Sequence, residues 1–174
     1  MKMSKKIRTL VSTALISAMV LTMGGMSAFA DNTSVTGSST AVTIDKYLVM
    51  DKDANVPNAT FSYTITAGTA VPAKGNIPEV KAGIGTVTIS ATAFAAGDTT
   101  STESNSIVTL ATDQKYAKTE AIVDFSSVTF EEPGIYRYKI TENDTTEPGI
   151  TKDYNTLYLD VYVTSDDDGK LAID

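Results

Sequence analysis

One lysine and one glutamate stand where apolar residues belong. In Val42-Thr43-Ile44-Asp45-Lys46-Tyr47-Leu48-Val49-Met50 the even positions are Val42, Ile44, Lys46, Leu48 and Met50. That is the period-two pattern of a strand with one buried face. Lys46 lies inside the row, so its ammonium must find a buried partner, give up its proton, or bend out to water. In Ile135-Tyr136-Arg137-Tyr138-Lys139-Ile140-Thr141-Glu142 the even positions are Tyr136, Tyr138, Ile140 and Glu142, with Arg137, Lys139 and Thr141 on the opposite face. Two such inward groups have two possible fates. As an ion pair they are structural, the commoner outcome for buried charges. As a neutral pair they are reactive: burial disfavours the ammonium, leaving a nucleophilic amine, and favours a protonated carboxyl able to donate and carry protons.

The elements that would position this pair follow at short intervals. Strands are expected at 41–50, 59–66, 84–90, 106–111, 120–125, 127–130, 135–142, 155–164 and 170–173. They are separated by turn signals such as Glu132-Pro133-Gly134, Glu147-Pro148-Gly149 and Asp166-Asp167-Asp168-Gly169. The 155–164 strand alternates most cleanly, with Asn155, Leu157, Leu159, Val161 and Val163 on one face and Tyr158, Asp160 and Tyr162 on the other. Long loops are expected at 68–83 and 91–105. No long helical pattern interrupts the series, so the fold class is all-β, an Ig-like antiparallel β-sandwich.

The ends and composition limit the function. Lys2, Lys5, Lys6 and Arg8 precede an apolar run from Leu10 to Met23, and Ala28-Phe29-Ala30 is a small-x-small cleavage signal. Residues 1–30 therefore read as a secretory signal peptide, 31–40 as a flexible leader, and 41–174 as one domain. The alternative, an uncleaved membrane anchor, is disfavoured because the run is short of the roughly 20 residues of a full span. Cleavage removes four basic residues and no acid, taking the formal net charge from −7 to −11. So acidic a surface disfavours nucleic acid and membrane insertion after cleavage. The chain has no Cys and no His, which removes disulfides, thiol and Ser-His-Asp nucleophiles and the usual zinc sites. No cofactor or metal is expected. Asp51-x-Asp53-x-Asn55 begins like a calcium loop, but Val56 and Ser62 stand where Gly and Glu are needed, so it reads as a turn. Tyr136, Tyr138, Tyr158 and Tyr162 read as packing rather than as a sugar platform.

The ordered set of segments resembles a known family. Val123-Asp124-Phe125-Ser126-Ser127-Val128-Thr129-Phe130 leads into Glu132-Pro133-Gly134-Ile135-Tyr136-Arg137-Tyr138-Lys139-Ile140-Thr141-Glu142. After these come Pro148-Gly149-Ile150-Thr151 and Leu157-Tyr158-Leu159-Asp160-Val161-Tyr162-Val163. Upstream lie Ile44-Asp45-Lys46-Tyr47 and Val56-Pro57-Asn58-Ala59-Thr60-Phe61-Ser62-Tyr63. Together these resemble the streptococcal-type pilin isopeptide linkage domain, found in FctA/T-antigen-like major pilins of Gram-positive bacteria. The resemblance implies that Lys46 condenses with an asparagine of the last strand in an intramolecular isopeptide bond, and that Glu142 assists as a proton shuttle. The family's Phe-x-Asn strand has no counterpart before Asp174, so the domain is expected to be truncated before its last strand, with the partner asparagine beyond Asp174. Asn155 and Asp174 lie outside the family context. Such bond formation happens once per molecule, so the chain is not expected to be an enzyme.

The resemblance further implies a secreted pilus subunit of the cell wall or surface, joined by a sortase to other pilin subunits. Lys170 carries no clear context for that linkage. The alternatives are a singly anchored adhesin module binding a host or carbohydrate ligand, and a hydrolase working with two carboxylates. The latter requires a second acid facing Glu142.

Overall fold

The computed structural model describes residues 7–12, 40–144, 147–151 and 156–174. The Ala28–Ala30 cleavage signal and Asn155 lie outside these residues. The strands are, in chain order, β1 (Ile7–Ser12), β2 (Ala41–Asp51), β3 (Ala59–Phe61), β4 (Tyr63–Ala67), β5 (Val80–Ala82), β6 (Thr88–Ile89), β7 (Thr92–Phe94), β8 (Thr100–Ser101), β9 (Gln114–Asp124), β10 (Gly134–Glu142), β11 (Ile150–Thr151), β12 (Leu157–Ser165) and β13 (Leu171–Ile173). One sheet runs β11-β1-β2-β9-β6, with β8 also on β9. The second runs β13-β12-β10-β4, with β5 also on β10. β3 and β7 form a two-stranded ribbon. The pairings are antiparallel except β1–β11 and β5–β10.

The alternation read from the sequence closes the core between the two sheets. Ile44, Val123 and Phe125 from the first sheet meet Tyr136, Tyr138, Ile140, Leu159, Val161 and Val163 from the second. The expected all-β sandwich is the fold observed. Across the long β2–β9 ladder, large residues face small ones: Ile44 pairs with Ala121, Lys46 with Thr119 and Leu48 with Ala117. The small partners leave room for the long side chains of β2 to lie inward. A second cluster joins Leu48 and Met50 to Ala54, Val56, Ala59, Phe61, Phe94 and Ala117, so the β3–β7 ribbon closes one end of the sandwich.

Several expected strands are wholly or largely irregular, for visible local reasons. At 106–111 the Asn105 side chain accepts from the Ile107 and Val108 amides, and Ser104 Oγ accepts from the Leu110 amide. Short side chains have taken the donors a ladder would need. At 127–130 Asp124 accepts from the Ser126 amide, and the Val128 amide donates to Phe125. In 84–90 the Ile84 amide and carbonyl are both held by the Tyr138 hydroxyl. Gly85 follows with a φ of 69°, so only Thr88–Ile89 remain extended. Gly83 is the site of close approach here: a Cβ on it would come 2.6 Å from the Tyr138 ring.

The 59–66 segment breaks at Ser62, whose carbonyl and hydroxyl accept from the amide and side chain of Asn143. The chain thereby leaves the ribbon and enters the second sheet. The expected loops at 68–83 and 91–105 contain β5, β7 and β8, each of two or three residues. Tyr47 and Val49 have the parity of a wet face, yet both are buried under Val108, because the 102–113 segment folds back over β2. Of the thirty residues read as a signal peptide, Ile7–Ser12 pair along β2, with Val11 opposite Lys46 and Leu10 opposite Tyr47.

Candidate functional site

Lys46 and Glu142 meet in the interior. Their strands lie in different sheets, β2 and β10, and inward parity on each brings the two heads together. Nζ donates to Glu142 Oε2 at 2.5 Å. Lys46 retains 1% exposure and Glu142 3%. With Thr92 they are the buried polar or charged residues of the described chain. The sequence expectation that both look inward is what the structure shows.

The walls around the pair are aromatic. Lys46 Nζ stands 4.5 Å from the centroid of the Phe61 ring, and Phe61 is held edge-on by Phe94 at 5.8 Å. A cation over a ring face in a water-poor site is favoured by the ring quadrupole. Tyr63 is the register partner of Glu142 on β4, and its hydroxyl hydrogen-bonds Thr92 Oγ1 at 2.9 Å. Phe61, Phe94, Tyr63 and Thr92 were not singled out in the sequence. The alternating Thr92-Ala93-Phe94 and Phe61-Ser62-Tyr63 triplets are too short to signal a site.

The environment of Tyr63 has a measurable consequence. Burial, reinforced by the nearby Glu142 charge and opposed by the Thr92 hydrogen bond, pushes its phenol from 10.0 up to about 12. The folded state holds this proton more tightly than the unfolded chain. Its contribution to stability is complete below pH 10 and disappears as pH rises through about 12. Urea midpoints measured between those pH values are expected to fall less steeply in Tyr63→Phe than in the parent chain. Tyr47 and Tyr138, also raised chiefly by burial, contribute to the slope that remains.

One atom at the site is unsatisfied. Glu142 Oε1 is buried without a hydrogen-bond partner, although a buried carboxylate oxygen ordinarily has one. A further polar group entering beside the Lys46–Glu142 pair would find an acceptor waiting.

Other charged groups serve the surface. Arg137 makes a two-pronged pair with Asp160, 2.7 Å on each arm, and lies 5.4 Å from the Tyr158 ring centroid. Tyr136 and Tyr138 are core residues, whereas Tyr158 and Tyr162 are half exposed on the outer face. Reading all four as packing therefore holds for the first two only; β12 alternation turns the others outward. At 51–55 the Ala54 amide donates to the Asp51 carbonyl, closing a turn. No group of three potential metal ligands occurs among the described residues. Lys170 begins the chain's return after Asp166, whose side chain accepts from the Asp168 and Lys170 amides, with Gly169 at a φ of 78°.

Residues 42–174 match the family described as Spy0128-like isopeptide containing domain. A pilin of Streptococcus pyogenes serotype M1 is 30% identical over 152 residues, covering 83% of this chain and 39% of the relative. The structure of the major pilin protein T-13 from Streptococcus pyogenes serotype GAS131465 matches at 25% identity and a TM-score of 0.43, covering 77% of this chain and 46% of that one. The chain thus spans less than half the length of each.

Proposed function

From the premise that the chain belongs to the Spy0128-like isopeptide containing domain family, we propose that it is part of a secreted pilus subunit of a Gram-positive cell surface, locked by an intramolecular amide between Lys46 and an asparagine. The asparagine lies on a strand that follows Asp174 in the full-length protein. Residues 1–30 act as its signal peptide, and a sortase joins the subunit to its neighbours. The observation that carries the proposal is the buried Lys46–Glu142 contact with Glu142 Oε1 left unpaired. A carboxamide NH₂ placed there satisfies that oxygen and brings its carbon within reach of Nζ.

The chemistry follows from these positions. A proton moving along the Nζ···Oε2 contact gives a neutral amine and a neutral acid, the reactive form of the pair. The amine attacks the carboxamide carbon while the acid hydrogen-bonds the carbonyl oxygen, where charge develops. Nζ passes its second proton, through the carboxyl, to the leaving nitrogen. A C–N bond has formed, another has broken, and ammonia leaves; no oxidant or cofactor enters. The fold holds the reactants in contact and so provides the effective concentration.

The test is the intact mass of the full-length protein after signal cleavage. It is expected to be one ammonia below the sequence mass, and Lys46→Ala and Glu142→Ala are expected to retain the ammonia. An unmodified mass in the parent protein, shown folded by its far-UV spectrum, would reduce Lys46 and Glu142 to a structural ion pair.

A further inference from the structure

The edge of β2 beside Lys46 is occupied by the chain's own N-terminal segment. β1 pairs antiparallel with β2 over Arg8↔Val49, Thr9↔Leu48, Leu10↔Tyr47, Val11↔Lys46 and Ser12↔Asp45. On its other side β1 pairs parallel with β11 through Ile7↔Ile150 and Arg8↔Thr151. Among the described residues, β2 otherwise has only β9 as a neighbour in the sheet. Without β1, one row of β2 backbone donors and acceptors is an open edge, a template for an added strand. The position opposite Lys46 in that added strand is held by Val11, whose side chain has no carbonyl and cannot acylate an amine.

We propose that the slot between β2 and β11 is a strand acceptor, and that the signal peptide, as long as it is an uncleaved leader, fills it as a placeholder. While Ile7–Ser12 are attached, no other strand can lie beside Lys46. Leader removal empties the slot and permits cross-linking, so the amide forms after cleavage. This order rests on the isopeptide reading above, but the placeholder itself rests on the β1 pairing alone. The affinity of the slot for the leader comes from its attachment, which makes pairing intramolecular. Once released, the six-residue segment competes only at its solution concentration.

Two measurements separate the claims. Leu10 and Val11 lie opposite Tyr47 and Lys46 of β2, and alternate N–H groups of a strand point to the same side, so Leu10→Pro with Val11→Pro removes whichever of the two donors faces β2. In the 174-residue chain this double variant is expected to speed amide exchange at least about tenfold at the β2 amides that face away from β9. Unchanged exchange there overturns the placeholder. In the full-length protein, blocking cleavage with Ala28→Leu and Ala30→Leu is expected to preserve the unmodified mass, and adding the two prolines to restore the loss of ammonia. A cleavage-blocked precursor that loses ammonia as completely as the mature protein overturns the proposed order. If the mature protein itself keeps its ammonia, the isopeptide reading fails, and the exchange experiment alone decides the occupancy of the slot.

Discussion

Glu142→Ala is expected to destabilise the chain by about 3–5 kcal/mol, the cost of leaving a buried charge without its partner. The arithmetic depends on Lys46, not on the lost glutamate contacts. At 1% exposure its head cannot reach water by bending, so it must either stay charged on an apolar wall or fold as the neutral amine. The second route caps the penalty and makes it pH-dependent, because the unfolded chain binds a proton that the folded chain does not. The loss should therefore shrink as pH rises toward the ordinary lysine range. Removing both groups together, as Lys46→Met with Glu142→Leu, is expected to be neutral or stabilising, since well-packed apolar pairs commonly match buried ion pairs. Urea denaturation of the three chains across pH 6–10 (roughly the range bounded by the ordinary His and Lys values) measures this. A Glu142→Ala loss below about 1 kcal/mol, independent of pH, would contradict the burial of Lys46.

Phe61→Ala is the second large effect, with an expected loss of about 3–5 kcal/mol from the cavity left in the end cluster. Phe61 is 1% exposed, is braced by Phe94 and carries the Lys46 head over its face. The ring contribution can be separated from volume by Phe61→Leu, which keeps much of the bulk and loses the quadrupole. The difference between wild type and Phe61→Leu is expected to fall by about 0.5–2 kcal/mol when Lys46 is already replaced by Met, the range of a cation–π contact. Equal Phe61→Leu losses with and without Lys46 would show that the ring serves packing alone.

Much of the site could be read before the structure was seen, because it depends on parity. Strand alternation placed Lys46 among Ile44, Leu48 and Met50, and Glu142 after Tyr136, Tyr138 and Ile140. Both predictions concern which way a side chain points, and that needs only a period of two. The features that escaped the sequence depend on partners distant along the chain. Tyr47 and Val49 are buried because a segment some sixty residues later returns to cover them; nothing local marks that. The break at Ser62 is made by Asn143. The expected strands at 106–111 and 127–130 failed where Asn105, Ser104 and Asp124 side chains captured backbone amides, a competition that apolar patterning does not register. The pairing of Ile7–Ser12 was missed because charge and cleavage signals described those residues by their export, not by their fit to an open edge.

The β2–β9 ladder has a mechanical meaning. Its register pairs run unbroken from Ala41↔Asp124 to Asp51↔Gln114, and antiparallel hydrogen bonds lie across the strand direction. Tension applied along β2 therefore meets the ladder in shear, with all its rungs strained together, whereas tension applied across an end would open them one at a time. Lys46 sits at the middle of that ladder, so a covalent bond from it to a strand lying beside β2 would act as a rivet that holds β2 against sliding.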